Sequence, residues 1–90
     1  MSIKIYIPSY LQPFASNKEV VEVNGSTVGE CLEHLLEQSP DIANKLFDKS
    51  GKLHSYAAIY INEEDAYPEE LAKPVEDRDE LHILYMVGGG

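Results

Sequence analysis

The last residues of the chain carry its most distinctive chemistry. An apolar run over 84–87 stops abruptly at Gly88, Gly89 and Gly90, and we expect these glycines to carry the backbone to a free α-carboxylate. Glycine loses more backbone entropy on ordering than any other residue and has no side chain to pack, so such a triplet rarely stabilises a fold. The pattern predicts a thin, flexible arm whose functional group is the carboxylate of Gly90. A frayed chain end explains these residues equally well when they are taken alone.

The other reactive side chains favour structural roles. Cys31 lies on the apolar stripe of a predicted helix, so a buried structural cysteine is favoured over a thiol that relays sulfur. His34, His54 and His82 are scattered without a second ligand at metal-binding spacing, and we predict no metal site. The only run of glycines is the terminal one, so no glycine-rich phosphate-binding loop is predicted.

The composition limits the class of protein. A length of 90 residues with an apolar fraction of 43% predicts one compact domain. The single cysteine excludes an internal disulfide and favours a reducing compartment. No basic and then apolar leader begins the chain, and no apolar run approaches the roughly 20 residues that span a bilayer. We therefore expect a soluble protein of the cytoplasm.

The net charge of −9 argues against binding to nucleic acid or to an anionic membrane surface. Nine acidic residues lie between Glu63 and Glu80, where only Lys73 and Arg78 oppose them. Such a field suits docking to a basic protein face. A solvated loop surface that aids solubility is the favoured interpretation of the same charges.

The first half of the chain predicts a hairpin followed by a helix. Alternation over 2–8 and 18–23 predicts two strands, and the short loop between them favours an antiparallel pair. Thr27 and Glu30 have the spacing of a capping box, which predicts the start of a helix spanning 28–38. The apolar stripe of this helix consists of Val28, Cys31, Leu32, Leu35 and Leu36.

The second half predicts a short helix and two further strands. Pro40 restarts the helical pattern, which apolar residues continue to Phe47. The later segments are a buried strand at 56–61, a turn at 62–65, an irregular stretch with one helical turn at 68–75 and a last strand at 80–87. This order predicts an α+β fold with the main helix on one face of the sheet. In its β-grasp form, the first and last strands lie side by side at the sheet centre.

The element order and the terminal glycines together resemble the ubiquitin-like sulfur-carrier proteins of the MoaD/ThiS family. This family includes the small subunit of molybdopterin synthase, the thiamine sulfur carrier and a carrier of cysteine biosynthesis. Besides the glycines, the resemblance is carried by IKIYIP at 3–8, GKLH at 51–54, IYINEED at 59–65, and the turn and strand over 77–84. GKLH and IYINEED resemble the cysteine-biosynthesis branch most closely.

The chain departs from the family pattern at two places. Relatives usually carry alanine or another residue before the glycine pair, where Gly88 stands here, and this change leaves the chemistry intact. Many relatives also have an arginine soon after the acidic turn, where this chain has Ala66, Tyr67 and Pro68. The second departure leaves the identity of the downstream partner open.

The resemblance implies a β-grasp domain over 1–87, with a mixed sheet of four to five strands and one main helix, and a flexible tail over 88–90. It implies a carrier rather than an enzyme, with no cofactor bound to it. An E1-like adenylating enzyme would use ATP to activate Gly90 for conversion to a thiocarboxylate, while Gly88 and Gly89 enter the partner's active site. The sulfur acceptor would first be a cysteine synthase-like enzyme, and otherwise the large subunit of molybdopterin synthase or a thiazole synthase.

Aromatic and apolar residues of three strands are candidates for a surface that docks the activating enzyme, namely Tyr6, Tyr60, Tyr85, Met86 and Val87. Tyr6 lies opposite the isoleucines of its own strand, whereas core packing is an equal alternative for Tyr60 and Tyr85. Two other classes of function remain open. One is a ubiquitin-like modifier joined to lysines through Gly90, and the other is a binding module whose tail is inert.

Overall fold

The computed structural model describes residues 2–54, 57–67 and 69–85, with only the backbone of Tyr85. The strands are β1 (Ser2–Tyr6), β2 (Val20–Asn24), β3 (Ala57–Ile61), β4 (Glu64–Asp65) and β5 (Glu80–Tyr85). The helices are α1 (Val28–Gln38) and the four-residue α2 (Ala43–Leu46). Short 3-10 turns span Gln12–Ala15, Pro40–Ile42 and Glu70–Ala72.

The described strands form one mixed sheet in the order β2-β1-β5-β3-β4. β1 and β5 run parallel at its centre, where Ile5 lies opposite Leu81. β2 pairs antiparallel with β1, and β3 pairs antiparallel with β5. β5 is thus paired with β1 at 80–82 and with β3 at 81–85. This arrangement confirms the predicted β-grasp fold, in which the first and last strands are neighbours.

The core forms where α1 packs against one face of this sheet. Alternate strand residues point into it and are buried, namely Ile3, Ile5, Val21, Val23, Ala57, Ile59, Ile61, Leu81 and Ile83. α1 contributes the buried side chains of Val28, Cys31, Leu32 and Leu35. Burying one large aliphatic side chain stabilises a fold by roughly 1.5–3 kcal/mol relative to leaving it exposed. The apolar residues that alternate along the strands and those that form the stripe of α1 therefore pack together in a single core.

The first turn of α1 is capped, and the helix begins at the predicted residue. Thr27 is the N-cap, and its Oγ1 accepts a hydrogen bond from the Glu30 N–H at 3.2 Å. The Glu30 carboxylate accepts from the backbone N–H and the hydroxyl of Ser26, both at 2.8 Å, rather than from the N-cap N–H that a capping box uses. These two hydrogen bonds hold the pKa of Glu30 below its ordinary value.

The turn predicted at 62–65 is wrong in its second half. Asn62 and Glu63 make the turn, and Glu64–Asp65 return as β4, paired antiparallel with Tyr60 and Ile61. The reason lies in Asn62, whose φ of 57° reverses the chain within two residues. Asparagine is among the few residue types that adopt this left-handed conformation readily.

Other element boundaries shift by smaller amounts. β1 ends at Tyr6 rather than at residue 8, because Pro8 has no N–H to donate to a neighbouring strand. β2 begins at Val20 rather than at 18, because the Lys18 N–H is used within the loop, by the carbonyl of Ala15. Residues 86–87 of the predicted last strand, and the predicted tail at 88–90, lie outside the described residues.

Candidate functional site

The sheet face opposite α1 carries the side chains that the strands turn away from the core. On β1, β3 and β5, the residues that alternate onto this outer face are Ser2, Lys4, Tyr6, Ala58, Tyr60, Glu80, His82 and Leu84. Leu84 is 45% exposed there, whereas its strand neighbours Leu81 and Ile83 are buried. The outer face therefore offers a large aliphatic side chain to solvent, just before the end of β5.

An aromatic row crosses the middle of the outer face. Tyr6 of β1 and Tyr60 of β3 are the Cα partners of His82, on either side of β5. The rings of Tyr6 and His82 stack, with centroids 4.6 Å apart and planes inclined by 5°. Tyrosine is enriched at the centre of protein–protein interfaces. The aromatic row of Tyr6, His82 and Tyr60 is thus a candidate docking surface.

Glu80 is attached to this row at the first residue of β5. Its Oε2 accepts a hydrogen bond from the Tyr6 hydroxyl at 3.3 Å, and its Oε1 lies 4.0 Å from Nε2 of His82. One carboxylate therefore contacts both rings of the stack. Because Tyr6 and His82 belong to paired central strands, the position of this carboxylate is coupled to the centre of the sheet.

The structure brings together two of the predicted docking residues. Tyr6 and Tyr60 are partly exposed members of the aromatic row, so Tyr60 takes the surface position rather than the alternative position in the core. Tyr85 is described through its backbone alone, and its Cα pairs with that of Ala57. The remaining predicted site residues are Met86, Val87, Gly88, Gly89 and Gly90, all of which lie outside the described residues. Their roles stay predictions.

Sequence reasoning missed His82, Glu80 and Leu84 as parts of this surface. The sequence favours a surface or structural role for His82 over metal binding, and the structure places it partly exposed on the outer face. The signal was nevertheless present in β5, because Leu81 and Ile83 alternate with the other residues of the strand. Period-two alternation places His82 and Leu84 on the face opposite the core, and the parallel pairing with β1 brings that face level with Tyr6.

Cys31 is buried, as predicted. Its side chain is fully enclosed between α1 and the sheet, and its Sγ would lie 2.9 Å from a Cβ built on Gly25. Burial, with a smaller contribution from the negative charge of Glu30, raises the pKa of the thiol to about 11. A thiol in this environment is a poor nucleophile at neutral pH, because the reactive form is the thiolate.

Two of the histidines make hydrogen bonds that support the fold. His34 Nδ1 accepts from the backbone N–H of Asn24 at 2.8 Å, which ties α1 to the end of β2. His54 Nε2 lies 3.2 Å from the carbonyl oxygen of Asn44. Within residues 2–54, 57–67 and 69–85, no three histidine, cysteine or acidic side chains are grouped so that they would hold a metal ion. The same residues contain no helix that is long and apolar enough to cross a membrane.

The sequence of the chain matches the model of one known protein family. The ThiS family matches residues 5–90, which is nearly the whole chain. This chain belongs to the ThiS family. The membership agrees with the β-grasp topology and with the resemblance carried by the terminal glycines.

The similarity of this ThiS-family chain to individual proteins extends along its whole length. It is 34% identical to the sulfur carrier protein CysO of Mycobacterium tuberculosis over 93 aligned positions, covering 100% of both chains. It also superimposes on CysO in the crystal structure of the Amycolatopsis orientalis BexX/CysO complex, with a TM-score of 0.88, 31% identity and coverage of 98% and 99% of the two chains. Small archaeal modifier protein 1 of Haloferax volcanii matches with a TM-score of 0.86 and 26% identity over 100% of both chains.

These comparisons confirm two further expectations. The matched structures share the mixed sheet and the main helix, which confirms the ubiquitin-like fold class. The ThiS family and the full-length similarity to a sulfur carrier protein identify the chain as a carrier rather than an enzyme.

Proposed function

We propose that this protein is a sulfur carrier whose Gly90 carboxylate is adenylated, converted to a thiocarboxylate and used as a sulfur donor in biosynthesis. The observation that carries the proposal is the similarity to the sulfur carrier CysO, which extends over 100% of both chains. The glycine triplet supports it, because three residues without side chains precede the reacting group.

The proposed chemistry begins with a carboxylate, which is a poor electrophile. An oxygen of the Gly90 carboxylate attacks the α-phosphorus of ATP and displaces pyrophosphate, which gives an acyl-adenylate. A sulfide ion then attacks the carbonyl carbon, and AMP leaves with one of the original carboxylate oxygens. The product is a thiocarboxylate, and one proton is released. A persulfide donor gives an acyl disulfide instead, and a second thiol is then needed to reduce it to the same thiocarboxylate.

The glycines would determine how far the reacting carbonyl extends from the domain. Three fully extended residues span at most about 11 Å. Bare backbone enters a narrow active site more easily than a chain with side chains, and glycine adopts φ values that other residues avoid. We therefore assign Gly88 and Gly89 to the tether that enters the partner's active site, and Gly90 to the reacting carbonyl.

The activating enzyme would dock on the outer face. Tyr6 and Tyr60 belong to this surface together with His82 and Leu84. We keep Tyr85, Met86 and Val87 as proposed contacts of the enzyme with the segment between β5 and the glycines. The existence of a BexX/CysO complex for the CysO of Amycolatopsis orientalis supports a stable partner for such a chain. The catalytic groups and the ATP site would belong to the partner enzyme.

The sulfur acceptor is assigned by similarity. A cysteine synthase-like enzyme is the first choice, because the sulfur carrier CysO matches this chain at 34% identity over 100% of both chains. The large subunit of molybdopterin synthase and a thiazole synthase are the next choices. The single cysteine of the chain is consistent with our proposal that these steps take place in the cytoplasm, where thiols stay reduced.

Activation is tested by mixing the purified protein with the E1-like adenylating enzyme that the same genome encodes. We expect exchange of labelled pyrophosphate into ATP that depends on this protein, because adenylation is reversible until sulfur is added. A variant that lacks Gly90 should fold normally and support no exchange. Exchange that is independent of the protein, or equal with the shortened variant, would contradict the proposal.

A second candidate function is that of a ubiquitin-like modifier. It is favoured by the similarity to small archaeal modifier protein 1 over 100% of both chains. In this case the same activated Gly90 carbonyl forms an isopeptide bond with a lysine amine on another protein, and AMP is the leaving group. Peptide mass spectrometry of cell extracts distinguishes the two functions, since after digestion with trypsin, which cleaves last at Arg78, a modifier leaves its residues 79–90 attached to target lysines.

A further inference from the structure

The outer face contains a depression beside the aromatic row. It has a volume of about 500 Å³ and opens to solvent next to β5. Its walls combine an aromatic ring, an imidazole, an aliphatic side chain, an amide and two carboxylates, contributed by Tyr60, His82, Leu84, Asn62, Glu63 and Glu80. All of these residues are described, and they come from the centre of the sheet and from the turn between β3 and β4.

Hydrogen bonds connect Asn62, which forms one wall of the depression, to the first residue of β5. The Asn62 N–H donates to the Glu80 carbonyl at 2.6 Å, and the Glu80 N–H donates to the Asn62 side-chain oxygen at 3.1 Å. The Asn62 amide nitrogen donates to Asp79 Oδ1 at 3.3 Å. The left-handed backbone of Asn62 then sets the direction of the two-residue turn that carries Glu63. The β3–β4 turn therefore has a defined place beside Glu80.

The two carboxylates of the depression lack a strong internal counterion. Among the described residues, the ion pairs within 4.0 Å are Lys73 with Glu69 and His82 with Glu80. Lys4 is the Cα partner of Glu80 on β1, yet it makes no ion pair with Glu80 within that distance. The depression thus presents negative charge next to aromatic and apolar surface.

A guanidinium group fits this combination better than other cations do. It is planar, so it stacks on tyrosine and histidine rings, and it offers several N–H donors in a fixed geometry to carboxylate oxygens. An ammonium group is a compact and strongly hydrated charge, which gains less from an aromatic wall. The methylene groups of an arginine would also cover Leu84, as such side chains commonly do on apolar surface.

We propose that this depression binds an arginine side chain of the activating enzyme, and that Glu63 and Glu80 thereby determine which enzyme accepts the carrier. The inference rests on the proposed activation at Gly90 and adds the chemistry of the partner's contact. Docking through the arginine holds the outer face against the enzyme while the tail reaches the active site. Loss of the contact therefore weakens binding of the carrier without altering the reacting group.

The first test uses activation kinetics of the full chain. The variants are Glu63→Gln, Glu80→Gln and the double variant, and Gln at 80 keeps an oxygen that accepts from Tyr6. The matched control for the double variant carries Glu33→Gln and Glu37→Gln together, which makes the same change of two charges at exposed residues of α1. We expect the KM for the double variant to rise about tenfold, with kcat within about twofold of the original protein, and the control to be unaffected.

Equal KM values for the double variant and the control would overturn the inference while leaving the proposed function intact. A fall in kcat alone would also contradict it, because that result assigns the two carboxylates to a step after docking. Thermal unfolding of every variant separates a loss of binding from a loss of fold.

The second test does not depend on the activating enzyme. Amide chemical shifts of the full chain are followed by NMR during titration with methylguanidinium chloride, and in parallel with methylammonium chloride at the same ionic strength. We expect the larger shifts with methylguanidinium, centred on 60–63 and 80–84, and their loss in the double variant. Equal shifts with both ions, or shifts that persist in the double variant, would overturn the arginine site whether or not Gly90 is activated.

Discussion

Burial keeps the only thiol of this chain away from sulfur chemistry. Cys31 is fully enclosed in the core, and its pKa is raised to about 11, first by burial and then by the charge of Glu30. A sulfur-relay cysteine needs the opposite environment, with solvent access and a lowered pKa. Cys31 therefore acts as a small apolar side chain, which agrees with our proposal that the backbone terminus carries the sulfur.

We predict that folded Cys31 reacts with a maleimide far more slowly at pH 7 than the same thiol in urea. The reason is that the reagent must wait for local opening of α1 and then needs the thiolate. Mass spectrometry of quenched samples measures the rate, and the urea-unfolded chain provides the control. Labelling of the native protein as fast as that of the unfolded chain would contradict the assignment of Cys31 to the core.

The same raised pKa predicts a loss of stability at alkaline pH. Both states keep the thiol proton below pH 9, so the free energy of unfolding has its full value there. Between about pH 9.0 and 11 the unfolded chain releases the proton while the folded chain retains it, so the free energy of unfolding falls with pH. Urea unfolding of the protein and of Cys31→Ala at each pH isolates the contribution of the thiol. The free energy of unfolding of the variant should lack the part of the decline that the thiol causes. Parallel curves for the two proteins over this range would contradict it.

The main helix depends on a short capping segment. Thr27 Oγ1 accepts the Glu30 N–H, and Ser26 donates two hydrogen bonds to the Glu30 carboxylate. Thr27 also pairs with Pro74 in an isolated bridge, and the Val28 N–H donates to the Lys73 carbonyl at 2.9 Å. The cap therefore connects the start of α1 to the segment that leads into β5.

We predict that Thr27→Ala lowers the free energy of unfolding by about 1 kcal/mol, the usual cost of removing an N-cap hydroxyl. Thr27→Ser is the matched control, since it keeps the hydroxyl and should lose much less. Urea unfolding followed by far-ultraviolet circular dichroism measures both variants. Equal losses for alanine and serine would show that the methyl group, rather than the hydrogen bond, carries the effect.

The elements that have a strong period were predictable from the sequence. α1 spans the predicted residues 28–38, because its apolar stripe and its cap specify the same boundaries. β4 was not predictable, since Glu64 and Asp65 are both charged and exposed and give no alternation. The pairing that creates β4 depends on the left-handed Asn62, whose effect appears only once β3 and β5 are placed.

The candidate site was predictable only in part. Tyr6 could be placed on the outer face from β1 alone, because isoleucines occupy the other side of the strand. The depression could not be foreseen, because it joins Tyr60, Glu63 and Glu80 from segments that meet only through the sheet order. The aromatic row depends likewise on the parallel register that sets Tyr6 beside His82. Register of this kind is a property of the assembled sheet.

The two faces of the sheet have different roles in the molecule: one face packs against α1, and the other is available for a partner. α1 covers one face of the sheet and closes the core, while the outer face keeps the aromatic row, Leu84 and two carboxylates accessible. β5 lies between β1 and β3, so the strand that precedes the terminal glycines is part of the best-supported region of the sheet. The net charge of −9 favours partners with a basic docking surface.

The central claim is that Gly90 carries sulfur, and the intact mass of the protein from its native cells tests it most directly. We expect a fraction of the molecules to be heavier by the difference between one sulfur and one oxygen atom, located by fragmentation at Gly90. Deletion of Gly90, or loss of the adenylating enzyme, should abolish that fraction while the domain stays folded. The same mass increase in the protein that lacks Gly90, or its absence from the full-length protein in sulfur-replete cells that contain the enzyme, would contradict the account.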